Sequence, residues 1–78
     1  MANKYTDDDV LQLSYEIIQL IEQNISCFND KETGNVITSN ESISFHVEND
    51  NIDRAYIEAR NLKEYLIKLK NNQNNKNK

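Results

Sequence analysis

The first apolar pattern along the chain repeats with the period of an α-helix. Positions three or four residues apart form one stripe, which consists of Val10, Leu13, Ile17, Leu20 and Ile21. Thr6 and Asp9 have the spacing of a capping box just before this stripe. The acids at 7–9 also suit the positive end of a helix dipole. The sequence therefore predicts a first helix that begins at Asp7 and fades between Asn24 and Asn29.

The apolar arc of this helix is wider than one neighbouring helix can cover. Leu11, Ile18 and Ile25 extend the stripe to one side, so that the arc spans roughly 160° at 100° per residue. Tyr15 lies beside them on the polar flank. We therefore expect this flank to remain outside the core and to contact another chain. The alternative is that the rest of the domain wraps around the flank and buries it.

The middle of the chain changes from a helical to an alternating pattern. Ile43, Phe45 and Val47 alternate with polar residues, which predicts a half-buried strand whose apolar face lies on the helices. The β-branched run at 36–38 predicts a partner strand, joined to the first by a tight turn at 39–42. An isolated hairpin is barely stable in water, so this one must pack on helices or on another chain. The polar segment before it, 29–35 with the single glycine Gly34, predicts a loop.

A second helical stripe follows a polar loop at 49–51. The spacing and the pair Asp50 and Asp53 predict a helix that begins near Asn51 or Ile52 and ends near residue 70. Its stripe consists of Ile52, Ala55, Tyr56, Ala59, Leu62, Leu66 and Leu69. Residues 71–78 contain no apolar side chain, which predicts a disordered tail. The predicted fold is therefore α+β, a single helix–β-hairpin–helix (αββα) domain at 7–70, with an N-terminal arm at 1–6.

The charge of the chain limits the kinds of partner. The net charge is −4, and most of the excess acid lies in the first half. Such a field repels nucleic-acid phosphates, which argues against direct nucleic-acid binding. An acidic surface favours a partner with a basic surface, or it only keeps the protein soluble. We find no signal peptide and no apolar run that could cross a membrane, which predicts a cytoplasmic protein.

The sequence contains few groups that could carry chemistry. There is one cysteine, Cys27, and one histidine, His46, so no His/Cys metal cluster can form. Consecutive acids at 7–9 point about 100° apart on a helix and cannot converge on one ion. We expect Cys27 to be a small core residue and His46 to lie on the polar face of its strand. The sequence therefore predicts no catalytic residue, no metal and no cofactor, which is to say a protein that is not an enzyme.

Several residues outside the apolar stripes are candidates for binding another protein. Tyr65 and Ile57 lie off the main stripe of the second helix, and tyrosine is favoured at binding centres. The predicted partner-binding residues are Leu11, Tyr15, Ile18, Ile25, Tyr65 and Ile57. The competing interpretation of the two tyrosines is that they cover the edges of the core. Asn24 falls within the apolar stripe of the first helix, either at a frayed end or as a register-setting group in a subunit contact.

Three segments carry a resemblance to a known group of proteins, namely 43–48, 52–60 and 62–66. They resemble small accessory proteins of phages and pathogenicity islands in low-GC Gram-positive bacteria, some of them antitoxins and others enzyme inhibitors. The resemblance implies a protein that acts by occupying a partner's surface. The leading hypothesis is therefore an inhibitor or antitoxin that neutralises a partner protein by direct contact. The alternatives are a structural or assembly subunit acting as a homo-oligomer, with a homodimer expected, and an acidic nucleic-acid mimic.

Overall fold

Three helices make up the fold. The computed structural model describes residues 3–24, 26 and 28–76, and side chains as far as Asn71. The helices are α1 (Asp7–Asn24), α2 (Asp30–Glu48) and α3 (Ile52–Lys76). No strand is present among the residues that the structure describes. The protein is therefore all-α, and the predicted α+β fold with a β-hairpin is wrong.

Helix α2 covers the whole region predicted as a loop and a hairpin, and its start shows why. The backbone N–H of Glu32 donates to Asn29 Oδ1 at 2.7 Å, and the N–H of Asn29 donates to Glu32 Oε1 at 3.0 Å. This reciprocal capping box satisfies two backbone donors that a helix otherwise leaves free. Residues 30–35 are thus the first turns of a helix. Gly34 lies within them and does not have a positive φ.

The buried face of α2 has helical and not alternating periodicity. Val36 and Ile43, two turns apart, are buried, and Ser39 and His46 on the same side are half-buried. By contrast Phe45 is 60% exposed, and Val47 is also exposed. The alternation of Ile43, Phe45 and Val47 therefore does not mark a face of the protein. Ile43 fits a strand and a helix equally well, which is why the short pattern was misleading.

The predicted starts of the other two helices are confirmed. At α1 the N–H of Thr6 donates to Asp9 Oδ2 at 2.9 Å, and the N–H of Asp9 donates to Thr6 Oγ1 at 3.3 Å. Helix α3 begins at Ile52, as predicted, but Asp53 is not paired with Asp50. Its carboxylate instead accepts the backbone N–H of Tyr5 at 2.8 Å, which ties the N-terminal arm to α3.

Helix α3 extends past its predicted end. It continues through residues 71–76 to Lys76, inside the region predicted as a disordered tail. Asn is a weaker helix former than Gln or Lys, but no glycine or proline interrupts this segment. Residues 77 and 78 of the predicted tail lie outside the described residues.

The helices run up, down and up, with α3 packed against both of the others. Helix α2 is antiparallel to α3, because Ser42 contacts Glu58 while Asn35 contacts Tyr65. Helix α1 is parallel to α3, since Tyr5 stacks on Tyr56 with ring centroids 3.8 Å apart while Glu16 contacts Lys63 further along. The buried apolar core consists of Val10, Leu13, Ile17, Val36, Ile43, Ile52, Ala55, Ala59, Leu62 and Leu66. The two alanines have no exposed surface, so the first half of α3 approaches its neighbours closely.

Candidate functional site

Three of the predicted partner-binding residues form one exposed stripe on α1. Leu11, Tyr15 and Ile18 are 48%, 56% and 49% exposed. Their spacing of four and seven residues places them on one side of the helix. The opposite flank of α1 carries Glu16, which contacts Lys63 of α3. The stripe therefore points away from α3.

Helix α2 adds one apolar residue to this stripe. Val47 lines a shallow groove together with Leu11 and Val10, and Asp7 and Asp8 line the same groove. We define the α1–α2 surface as the exposed apolar residues Leu11, Tyr15, Ile18 and Val47. Sequence reasoning missed Val47 because it placed this residue in a strand.

The other predicted partner-binding residues do not join this surface. Ile57 is 47% exposed, but it lies on the side of α3 opposite its buried stripe. Tyr65 is half-buried against the core, and its hydroxyl accepts a hydrogen bond from Asn35 Nδ2 at 3.2 Å. This placement agrees with the interpretation that Tyr65 covers an edge of the core. Ile25 lies outside the described residues.

Charge is strongly segregated between the helices. Helix α1 contains five acids and no Lys or Arg, and α2 contains four acids and one lysine. Helix α3 contains six bases and three acids. The net charge of −4 thus hides an excess of eight negative charges on α1 and α2 and of three positive charges on α3. The acids Asp7, Asp8, Glu22 and Glu48 are exposed near or beside members of the α1–α2 surface.

A serine, a histidine and a glutamate come together beside a polar groove between α2 and α3. Ser42 Oγ donates to Glu58 Oε2 at 2.8 Å, and His46 Nε2 lies 3.0 Å from the same oxygen. In a catalytic triad the histidine lies between the hydroxyl and the acid and accepts the hydroxyl proton. Here the carboxylate lies between the other two groups, so the serine has no basic imidazole beside it. The cluster ties α2 to α3, and His46 is not on an exposed polar face as predicted.

Two carboxylates have pKa values lowered by contacts that join distant parts of the chain. The ammonium group of Lys63 donates to Glu16 Oε2 at 2.6 Å and holds the pKa of Glu16 below its usual value near 4.5. The backbone N–H groups of Lys4 and Tyr5 lower the pKa of Asp53 below its usual 3.8. Both contacts fasten other segments to α3, and neither lies on the α1–α2 surface.

The remaining residues singled out in the sequence offer no further site. Asn24 is buried, and its Nδ2 donates to the carbonyl oxygen of Leu20 at 2.8 Å, so its polar group is satisfied within α1. Cys27 lies outside the described residues. Within the part of the chain that the structure describes, no three potential metal ligands come together. No helix found there is long and apolar enough to cross a bilayer.

Comparison with protein families, with curated proteins and with solved structures finds no match. A functional assignment therefore rests on the surfaces of this chain alone. Of the surfaces described above, the polar groove between α2 and α3 is crossed by the hydrogen bonds from Ser42 to Glu58 and from Asn35 to Tyr65. The α1–α2 surface is apolar and exposed, and no other part of the described chain covers it.

Proposed function

We propose that this protein is a non-catalytic binding module of the cytoplasm, an inhibitor or antitoxin that neutralises a partner protein by covering part of its surface. The contact is made by the α1–α2 surface. The observation that carries this proposal is the exposed apolar stripe of α1 next to Val47 of α2.

An exposed stripe of this kind favours an interface. Four side chains that are each roughly half exposed present apolar area on the order of a few hundred Å², and contiguous patches of that size are often functional. Scattered single apolar residues would need no explanation, but Leu11 and Val47 line one groove and Ile18 lies two turns from Leu11. The acids beside this groove give the surface a polar edge, as protein interfaces have.

The same surface argues against the nucleic-acid mimic. A mimic reproduces the regular negative charge of a phosphate backbone, whereas this acidic face carries large apolar side chains. Apolar area surrounded by charge is the pattern of a protein contact. A protein that binds this surface must therefore complement both the apolar area and the acids around it.

The partner is sought by capture from cells that encode the protein, with three immobilised forms of the chain. These are the wild type, the double variant Leu11→Gln with Ile18→Gln, and the control Ile57→Gln. Ile57 has nearly the same exposure as Leu11 but lies on the far side of α3. We expect one protein to be retained by the wild type and the control and lost by the double variant.

The captured protein is then purified, mixed with each form, and tested for its own activity. We expect the wild type and the control to suppress that activity and the double variant to lose at least tenfold in potency. Thermal unfolding of each variant checks that the fold is intact. A partner bound equally by all three forms would contradict the assigned surface. A wild-type protein that binds only itself would replace the inhibitor with the homo-oligomeric subunit.

A further inference from the structure

We infer that the segment of the partner recognised by the α1–α2 surface is a cationic amphipathic helix. This inference rests on the proposed function and names the chemistry of the occupant. Three observations carry it: the way α3 packs, the shape of the exposed stripe, and the sign of the charge around it.

Helix α3 packs on α1 and α2 in the way that we infer for the helix of the partner. It is a basic amphipathic helix that lays a stripe of small and aliphatic residues against α1 and α2. Its charge matches that of α1, because Lys63 pairs with Glu16 at 2.6 Å. The acidic pair of helices therefore already binds one basic helix along one side.

The opposite side of α1 and α2 also combines apolar residues with acids. Leu11 and Ile18 lie two turns apart, about 10 Å, which is the spacing of apolar anchors at i and i+7 on a ligand helix. Val47 faces Leu11 across the shallow groove, and Asp7 and Asp8 line its edge. A helix with an apolar stripe would cover the groove, and lysines or arginines flanking the stripe would meet the acids.

The charge distribution disfavours a second copy of this chain as the occupant. A symmetric contact of the α1–α2 surface with itself would bring the acids around it, at either end of α1, near acids of the second copy, and like charges across an interface are destabilising. The one basic amphipathic helix of the described chain is α3, and its apolar stripe is buried in its own core. A second copy therefore has no free helix of the required kind to offer.

The experiment uses defined peptides as probes. An 18-residue peptide of leucine and lysine, with leucines spaced to form one helical stripe, is titrated into the full-length protein labelled with ¹⁵N. Two controls are a peptide of the same composition in scrambled order and a peptide in which glutamate replaces every lysine. We expect the striped cationic peptide to bind at least tenfold more tightly than the scrambled one. We expect no binding of the acidic peptide.

The location of binding is tested with the variants. Chemical-shift changes should concentrate at Leu11, Ile18 and Val47. Leu11→Gln with Ile18→Gln should weaken binding of the striped peptide at least tenfold, whereas Ile57→Gln should leave it unchanged. Asp7→Asn with Asp8→Asn should weaken it by several fold, and most strongly at low salt.

Equal affinity for the striped and scrambled peptides would overturn the inference, because binding would then follow total charge and not the helical stripe. Shift changes centred on the groove between α2 and α3 would overturn it as well. Self-association of the unliganded protein that is lost on Leu11→Gln would assign the surface to a second copy. If the captured partner depends on Leu11 and Ile18 while the striped cationic peptide does not bind, the proposed function stands and this inference fails.

Discussion

Truncation of Ile43 tests the central feature of the fold, the helical face of α2. Ile43 is only 7% exposed and lies in the core with Val36. Removal of its branched side chain loses apolar burial and leaves a cavity, so Ile43→Ala should lower the free energy of unfolding by about 2–5 kcal/mol. A domain of this size has a total stability of roughly 4–12 kcal/mol, so the loss is a large fraction of it.

Two matched substitutions on the same helix should cost far less. Ile37→Ala makes the same chemical change at a position that is exposed, and Phe45→Ala removes a larger side chain that is 60% exposed. Surface changes away from special features shift stability only slightly, and alanine is the better helix former, so each should cost about 1 kcal/mol or less.

The measurement is equilibrium unfolding in urea, followed by circular dichroism at 222 nm, for the wild type and the three variants. Equal slopes of the unfolding free energy against urea would show that the differences in midpoint report stability. The strand interpretation places Ile43 and Phe45 on one buried face. If Phe45→Ala proved as costly as Ile43→Ala, the helical assignment of α2 would be refuted.

Two further predictions concern the start of α2 and the carboxylates bound to α3. A Cβ added at Gly34 meets no atom within 4 Å, so Gly34→Ala should raise the unfolding free energy by about 0.5–1 kcal/mol in the same urea assay; a loss of stability would indicate that the segment is a loop. The lowered pKa values of Glu16 and Asp53 stabilise the folded state above pH 4.5 and 3.8, and that contribution disappears as the pH falls further. Thermal midpoints measured from pH 6 to pH 2 should therefore fall less for Glu16→Gln than for the wild type, and parallel curves would contradict the role of this ion pair.

The parts of the fold that the sequence predicted correctly are those in which several local signals agree. Helix α1 has a capping box, acids in its first turn and a long stripe, and its predicted start at Asp7 is correct. Helix α3 has a polar loop before it and a stripe of seven residues, and its start at Ile52 is also correct. Long periodic segments fix the type of element because many positions must fit the same period.

Helix α2 could not be predicted from its apolar residues alone. Only Val36 and Ile43 are buried in it, and two apolar residues seven positions apart are too few to distinguish a helix from two short strands. The three alternating apolar residues at 43–47 are typical of a strand, and the polar segment at 29–35 is typical of a loop. The stronger signal was the pair Asn29 and Glu32, whose spacing is that of a capping box. Recognition of that pair would have predicted a helix through Gly34.

The candidate surface was predicted in part. The width of the apolar arc on α1 correctly indicated that Leu11, Tyr15 and Ile18 remain exposed. Their neighbour Val47 could not be found, because a residue assigned to a strand has no defined position beside a helix. Ile57 and Tyr65 were grouped with the others from chemistry alone, and only the tertiary structure separates them. The partner contact itself stays a prediction.

The central position of α3 has a consequence for the order in which the chain folds during synthesis. Helices α1 and α2 leave the ribosome first, and both depend on contacts with α3. Until α3 emerges, the acidic helices repel each other and the apolar residues that α3 later covers remain in water. The nascent chain therefore gains its core only after α3 has left the exit tunnel. In that interval the residues that α3 later covers are accessible to a chaperone together with the α1–α2 surface, whereas the folded protein exposes only the latter.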